Sequence, residues 1–62
     1  MSKQEIMKQA VERMLQLVAE LGHHGVRADD MPDDLISAQA RLRSACEHLE
    51  GRIELERLRQ AA

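Results

Sequence analysis

Sixty-two residues with a formal net charge of −2, one cysteine and no aromatic side chain exclude an intramolecular disulfide. They also offer no basic surplus and no ring to stack on a base, so composition argues against nucleic acid as a partner. A chain this short buries only about 60% of the surface its unfolded form exposes, so a metal, a disulfide or association is expected to stabilise it.

No apolar run is longer than Leu17 to Ala19, far short of a membrane span. The segment from Met1 to Gln9 lacks the apolar stretch of a signal peptide. With a single cysteine, Cys46, this leads to the expectation of a cytoplasmic, non-membrane protein.

The chain opens on Ser2-Lys3-Gln4-Glu5, the Ser-x-x-Glu spacing in which hydroxyl and carboxylate satisfy the free N–H groups of a helix start. Met7, Ala10, Val11, Met14, Leu17, Val18 and Leu21 follow at three- and four-residue steps, which predicts a helix over residues 3–24. Ile6 and Leu15 widen its apolar arc to about 180°, against the roughly 100° that one neighbour can cover.

Gly22 and Gly25 come next, and Gly25 suits a left-handed helix cap with Val26 folded back on Leu21. Residues 25–30 are read as a turn. Asp30-Met31-Pro32-Asp33 predicts the second start, with an aspartate cap, proline in the first turn and acids at the positive end of the dipole. Helix 2 is expected over residues 31–59. So short a connection makes the two helices antiparallel neighbours.

Leu35, Ala38, Leu42, Ala45, Cys46, Leu49 and Ile53 form the second stripe. Gly51 then marks a change, for which a kink or a close backbone approach is the expectation. Leu55 and Leu58 beyond it point to another side. Helix 1 measures about 33 Å and Met31 to Ala62 about 48 Å at 1.5 Å per residue, an overhang of about ten residues. Ile53, Leu55 and Leu58 are therefore expected beyond the reach of helix 1.

The fold class that follows is all-α, an antiparallel two-helix hairpin, and its surplus apolar surface predicts dimerisation into a four-helix bundle. Met7, Val11, Met14, Leu17, Val18, Leu21, Leu35, Leu42, Cys46 and Leu49 are assigned to self-association. Arg52, Ile53, Leu55, Leu58 and Arg59 are assigned to a protein partner. Of the methionines Met1, Met7, Met14 and Met31, the two on the first stripe are read as adaptable packing residues.

Chemistry is sparse. His23, His24, His48 and Cys46 lack the spacing that converges on zinc. Cys46 lies on an apolar stripe, where a thiol is a small inert hydrophobe. Asp29, Asp30, Asp33 and Asp34 do not follow a calcium loop, and helix capping accounts for Asp30, Asp33 and Asp34. Arg41, Arg43, Arg52, Arg57 and Arg59 alternate with Glu47, Glu50, Glu54 and Glu56 and are read as a solvated face of ion pairs.

No nucleophile has a base, and no glycine-rich phosphate loop is present. The expectation is a non-catalytic protein without cofactor, metal or small-molecule substrate. It is read as a small bacterial or phage-like regulator or inhibitor that binds itself and another protein. The alternatives are an assembly chaperone completed by a foreign helix and a dimeric nucleic-acid regulator using Arg41, Arg52, Arg57 and Arg59.

Overall fold

The computed structural model describes residues 2–61, and Met1 and Ala62 lie outside the described chain. Helix α1 (Lys3–Glu20) and helix α2 (Asp33–Ala61) are joined by two 3₁₀ turns, Leu21–His24 and Ala28–Asp30. Among the described residues there is no strand. The all-α hairpin expected from the sequence is the architecture observed.

Ser2 begins α1 as anticipated. Its backbone is extended, at φ −74° and ψ 159°, and its Oγ accepts from Glu5 N–H at 3.2 Å, which satisfies one of the donors a helix start leaves free. At the other end the helix tightens into a 3₁₀ turn that closes on Gly25 at φ 81°. Val26 N–H donates to the Leu21 carbonyl at 3.1 Å and Gly25 N–H to Gly22 at 3.2 Å. A left-handed residue at this place is what only glycine adopts freely.

The start of α2 differs from the expected one. Met31 is extended at φ −81° and ψ 136°, because the ring of the following proline disfavours helical geometry in the residue before it. The helix therefore begins at Asp33, with the Pro32 carbonyl accepting from Leu35 N–H at 3.0 Å and Ile36 N–H at 3.2 Å. Asp30 is released from the capping role and instead accepts from Arg27 N–H at 2.9 Å through Oδ2, closing the turn on itself.

Gly51 does not interrupt anything. Helix α2 runs through it to Ala61, and a Cβ placed there would meet nothing within 4 Å. Neither a break nor a close backbone approach accounts for this glycine.

The overhang is also shorter than expected. The 18 residues of α1 span about 27 Å, and the four of Leu21–His24 add about 8 Å at the steeper 3₁₀ rise. The 29 residues of α2 span about 44 Å. About six residues protrude. Ile53 falls inside the paired length and is 8% exposed, beside Glu5, Lys8, Gln9 and Glu12 of α1. Its assignment beyond the reach of α1 is corrected on that ground.

The seam is thin. Val11, Leu49 and Ile53 are the buried apolar residues, flanked by half-buried Leu15, Val18 and Leu21 from the first arm and Leu35, Leu42 and Ala45 from the second. An ion pair, Lys8 Nζ to Glu50 Oε1 at 3.7 Å, crosses one side of it. The molecule measures 49 × 18 × 12 Å, little more than one helix thick in its shortest direction.

Candidate functional site

At about 100° per residue, Val11 points into the seam and Met7, Met14, Ala10, Leu17 and Ile6 follow it progressively around one side of α1. That half of the wide apolar arc is left open. Met14 is 43% exposed and Leu17 59%. On the opposite side of α1 lie Glu5 and Glu12, so the two long faces of the hairpin differ in chemistry from the first helix onward.

On the apolar side the helices enclose a groove of about 450 Å³. Its α1 wall is Met7, Ala10, Val11 and Met14, and its α2 wall is Ala45, His48, Leu49 and Arg52. The small side chains of Ala10 and Ala45 leave the room, since no methylene groups from either wall fill the space between the helices. The other long face carries a shallower hollow of about 170 Å³ lined by Glu5, Lys8, Gln9, Glu12, Ile53 and Arg57.

The charges of α2 are sorted between these faces. Arg41, His48, Arg52 and Arg59 succeed one another at steps of seven, four and seven, which keeps all four on one edge of the helix; His48 and Arg52 line the groove, and Arg59 continues the edge on the part of α2 that protrudes past α1. Glu47, Glu50 and Glu54 fall on the far edge with Arg43 and Arg57. The alternation in sequence is thus a separation in space. Among the described residues the ion pair within 4 Å is Lys8 with Glu50, on the acidic side.

Residues assigned to self-association are divided by the structure. Val11 and Leu49 make the seam, Met7 and Met14 line the groove, and Leu17 stands at its open edge. Val18, Leu21, Leu35 and Leu42 are half-buried within the hairpin. Cys46 is half-buried on the other flank, its thiol donating to Glu50 Oε1 at 3.8 Å. Burial, then the carboxylates of Glu50 and Glu12, push that thiol above its ordinary value of 9.0, which lowers its thiolate fraction at neutral pH.

Residues assigned to a partner are divided: Arg52, Leu55 and Arg59 share the groove side of α2, and Ile53 and Leu58 do not. Ile53 is in the seam and Arg52 in the groove. Leu55 and Leu58 are 56% and 60% exposed, with Leu55 turned toward the groove edge and Leu58 away from both helices. Ala10 and Ala45, read as stripe residues, and His48 line the groove without having been assigned to self-association or to a protein partner, and Arg41 was named for the nucleic-acid alternative alone. The signal for them was present in the seven-residue step from Arg41 to His48 and in the alanines interrupting each stripe.

His23 and His24 are exposed where the first arm ends, and among the described residues no three His, Cys, Asp or Glu side chains converge as metal ligands would. Among the described residues no helix is long and apolar enough to cross a membrane. What the site can do is hold an elongated apolar object with a polar edge. No family model matches the chain, and no curated protein or solved structure does either.

Proposed function

We propose that this protein is a small non-catalytic regulator or inhibitor that works by protein–protein binding through its amphipathic helix faces, the groove face foremost. Helix from outside the chain, a second copy's or another protein's, completes the two-helix hairpin as a larger bundle. The observation that carries this reading is the area left uncovered. A compact monomer of 7.1 kDa exposes roughly 4,100 Å² on the area–mass scaling, whereas this chain exposes 5257 Å². The excess, about 1,200 Å², is more than the roughly 800 Å² that each partner buries in an interface of standard size, and Met7, Met14 and Leu17 are exposed on the groove side of it.

Photo-crosslinking tests the reading directly. A benzophenone side chain at Leu17, on the groove face, is expected to yield discrete protein adducts in cells, whether with a second copy or with another protein. The same group at Glu54, on the acidic face, is expected to yield none. Adducts from both positions alike, or from neither, would remove the groove from any binding role.

A further inference from the structure

Resting on that protein-binding reading, we infer that the groove face receives an acidic amphipathic helix from a different protein, its apolar stripe seated on α1 and its carboxylates along the α2 edge of Arg41, Arg52 and Arg59. Two walls of unlike chemistry meet in one groove. The α1 wall, Met7, Ala10 and Met14, is apolar, and its carboxylates Glu5, Glu12 and Glu20 point elsewhere on the helix. The α2 wall carries His48 and Arg52, extended by Arg41 and Arg59 to a line of about 27 Å.

That line holds one carboxylate at helical spacing, Glu56, four residues after Arg52 and three before Arg59, and none beside Arg41. Between Arg41 and Arg52 the groove edge holds Ala45 and His48 and no carboxylate, and the nearest acid along it upstream is Asp34, in the first turn of α2. Downstream, Glu56 is half-buried toward the seam. A helix of roughly 18 residues has the length of the line, and one apolar stripe flanked by glutamates or aspartates meets both walls at once.

A second copy of this chain meets them poorly. A two-fold axis lying in the interface has two orientations for antiparallel helices. Perpendicular to the helices, it stacks each α2 edge antiparallel on its own copy and brings two basic lines into one strip, with Glu56 as the carboxylate along it. Parallel to them, it lays each arginine edge on the apolar α1 wall of the other subunit, desolvating the guanidinium groups without an anion. Both arrangements leave cations in excess of carboxylates. A nucleic-acid backbone answers them but leaves the methionine wall wet, and the chain has no ring to stack on a base.

The test uses the full chain and two labelled helical peptides of roughly 21 residues, about 30 Å long. Both carry one leucine stripe, and they differ only in glutamate or lysine along its flank. Anisotropy titrations at low salt are expected to show the glutamate peptide binding at least about tenfold tighter than the lysine peptide, with the difference shrinking as salt rises. Replacing the three exposed arginines together, R41E/R52E/R59E, is expected to reverse the preference, and Met14→Glu to weaken both peptides, circular dichroism confirming that each variant stays helical. If a variant loses its helix, the preference and its salt dependence in the natural chain still decide.

Equal affinity for the two peptides overturns the inference, as does failure to bind either. So does a dimer, seen by light scattering at the assay concentration, that the glutamate peptide leaves intact. A single-stranded oligonucleotide that binds as tightly and ignores Met14→Glu overturns it in favour of a polyanion. A Leu17 photo-adduct of twice the chain mass removes the foreign helix while leaving protein binding through the groove in place, and the absence of any groove-face adduct removes both.

Discussion

At the scale of single residues, two glycines look alike in sequence and behave oppositely. Gly25 sits at φ 81°, a conformation in which a Cβ crowds the following carbonyl, so Gly25→Ala is expected to cost about 1–2 kcal/mol. Gly51 lies in open space in the middle of α2. Gly51→Ala is expected to gain about 1 kcal/mol through helix propensity alone. Urea midpoints measured side by side should move in opposite directions, and a loss at both positions would mean that Gly51 has a contact no single chain reveals. Gly25 was legible in sequence because its neighbours Leu21 and Val26 formed the pattern of a cap. Gly51 was not, since a glycine in a helix leaves the same trace whether it is packed or merely tolerated.

Cys46 carries the pH prediction. Burial and the carboxylates of Glu50 and Glu12 hold its thiol above 9.0, so the folded chain retains the proton more firmly than the unfolded one. The resulting stabilisation is fully present below about pH 9 and declines as pH rises through the folded value. Alkylation by iodoacetamide at pH 8 is expected to be slower in the folded chain than in urea. Glu50→Gln, which removes a charge that opposes the thiolate, is expected to speed it.

At the scale of elements, the helices were legible because each stripe repeats over several turns, and the register was not. It depended on the rise of four residues, Leu21–His24, which as a 3₁₀ turn add length that an α-helical estimate omits. It depended also on the two residues by which Pro32 delays α2. Those differences bring Ile53 into the seam, and the consequence is measurable. Ile53→Ala, at a site 8% exposed, is expected to cost about 2 kcal/mol, the low end for buried aliphatics because the seam is only one layer deep. Leu58→Ala, at 60% exposure, should stay within about 0.5 kcal/mol. Ending the chain after Gly51 removes Ile53 and is expected to abolish the helical circular dichroism of the hairpin, whereas ending it after Arg57 should leave the spectrum nearly unchanged. Equal effects of the two truncations would show that the seam does not extend to Ile53.

The groove shows the same boundary between what a linear reading resolves and what it does not. Each stripe was readable by periodicity, but which half of the α1 arc faces α2 is a matter of how two helices roll against each other. Leu17 and Val18 are neighbours in one apolar run, yet the first is 59% exposed and the second half-buried. The arginine edge was obscured for a related reason. Read in order, Arg52, Glu54, Glu56, Arg57 and Arg59 alternate in sign, and only the turn of the helix separates them onto two edges.

At the scale of the whole molecule, shape limits stability. A compact chain of this length has a radius of gyration of about 10.6 Å by the usual scaling, and this one has 14.8 Å. Among the described residues elongation leaves three buried apolar side chains and none below 2% exposure, a slight core. The isolated hairpin is therefore expected to melt at a low temperature over a broad range, and a ligand of the groove to stabilise it by mass action. At a concentration one hundred times its dissociation constant, such a ligand contributes about 2.7 kcal/mol. In a domain this small that raises the melting midpoint by roughly 10–20 °C. A calorimetric series with increasing glutamate-flanked peptide should show this rise and a sharpening transition. Dilution of the free chain adds the complementary measurement. A midpoint that falls on dilution without peptide means that copies of the chain already share the groove surface, and a midpoint constant under both treatments means that the uncovered face contributes nothing to folding.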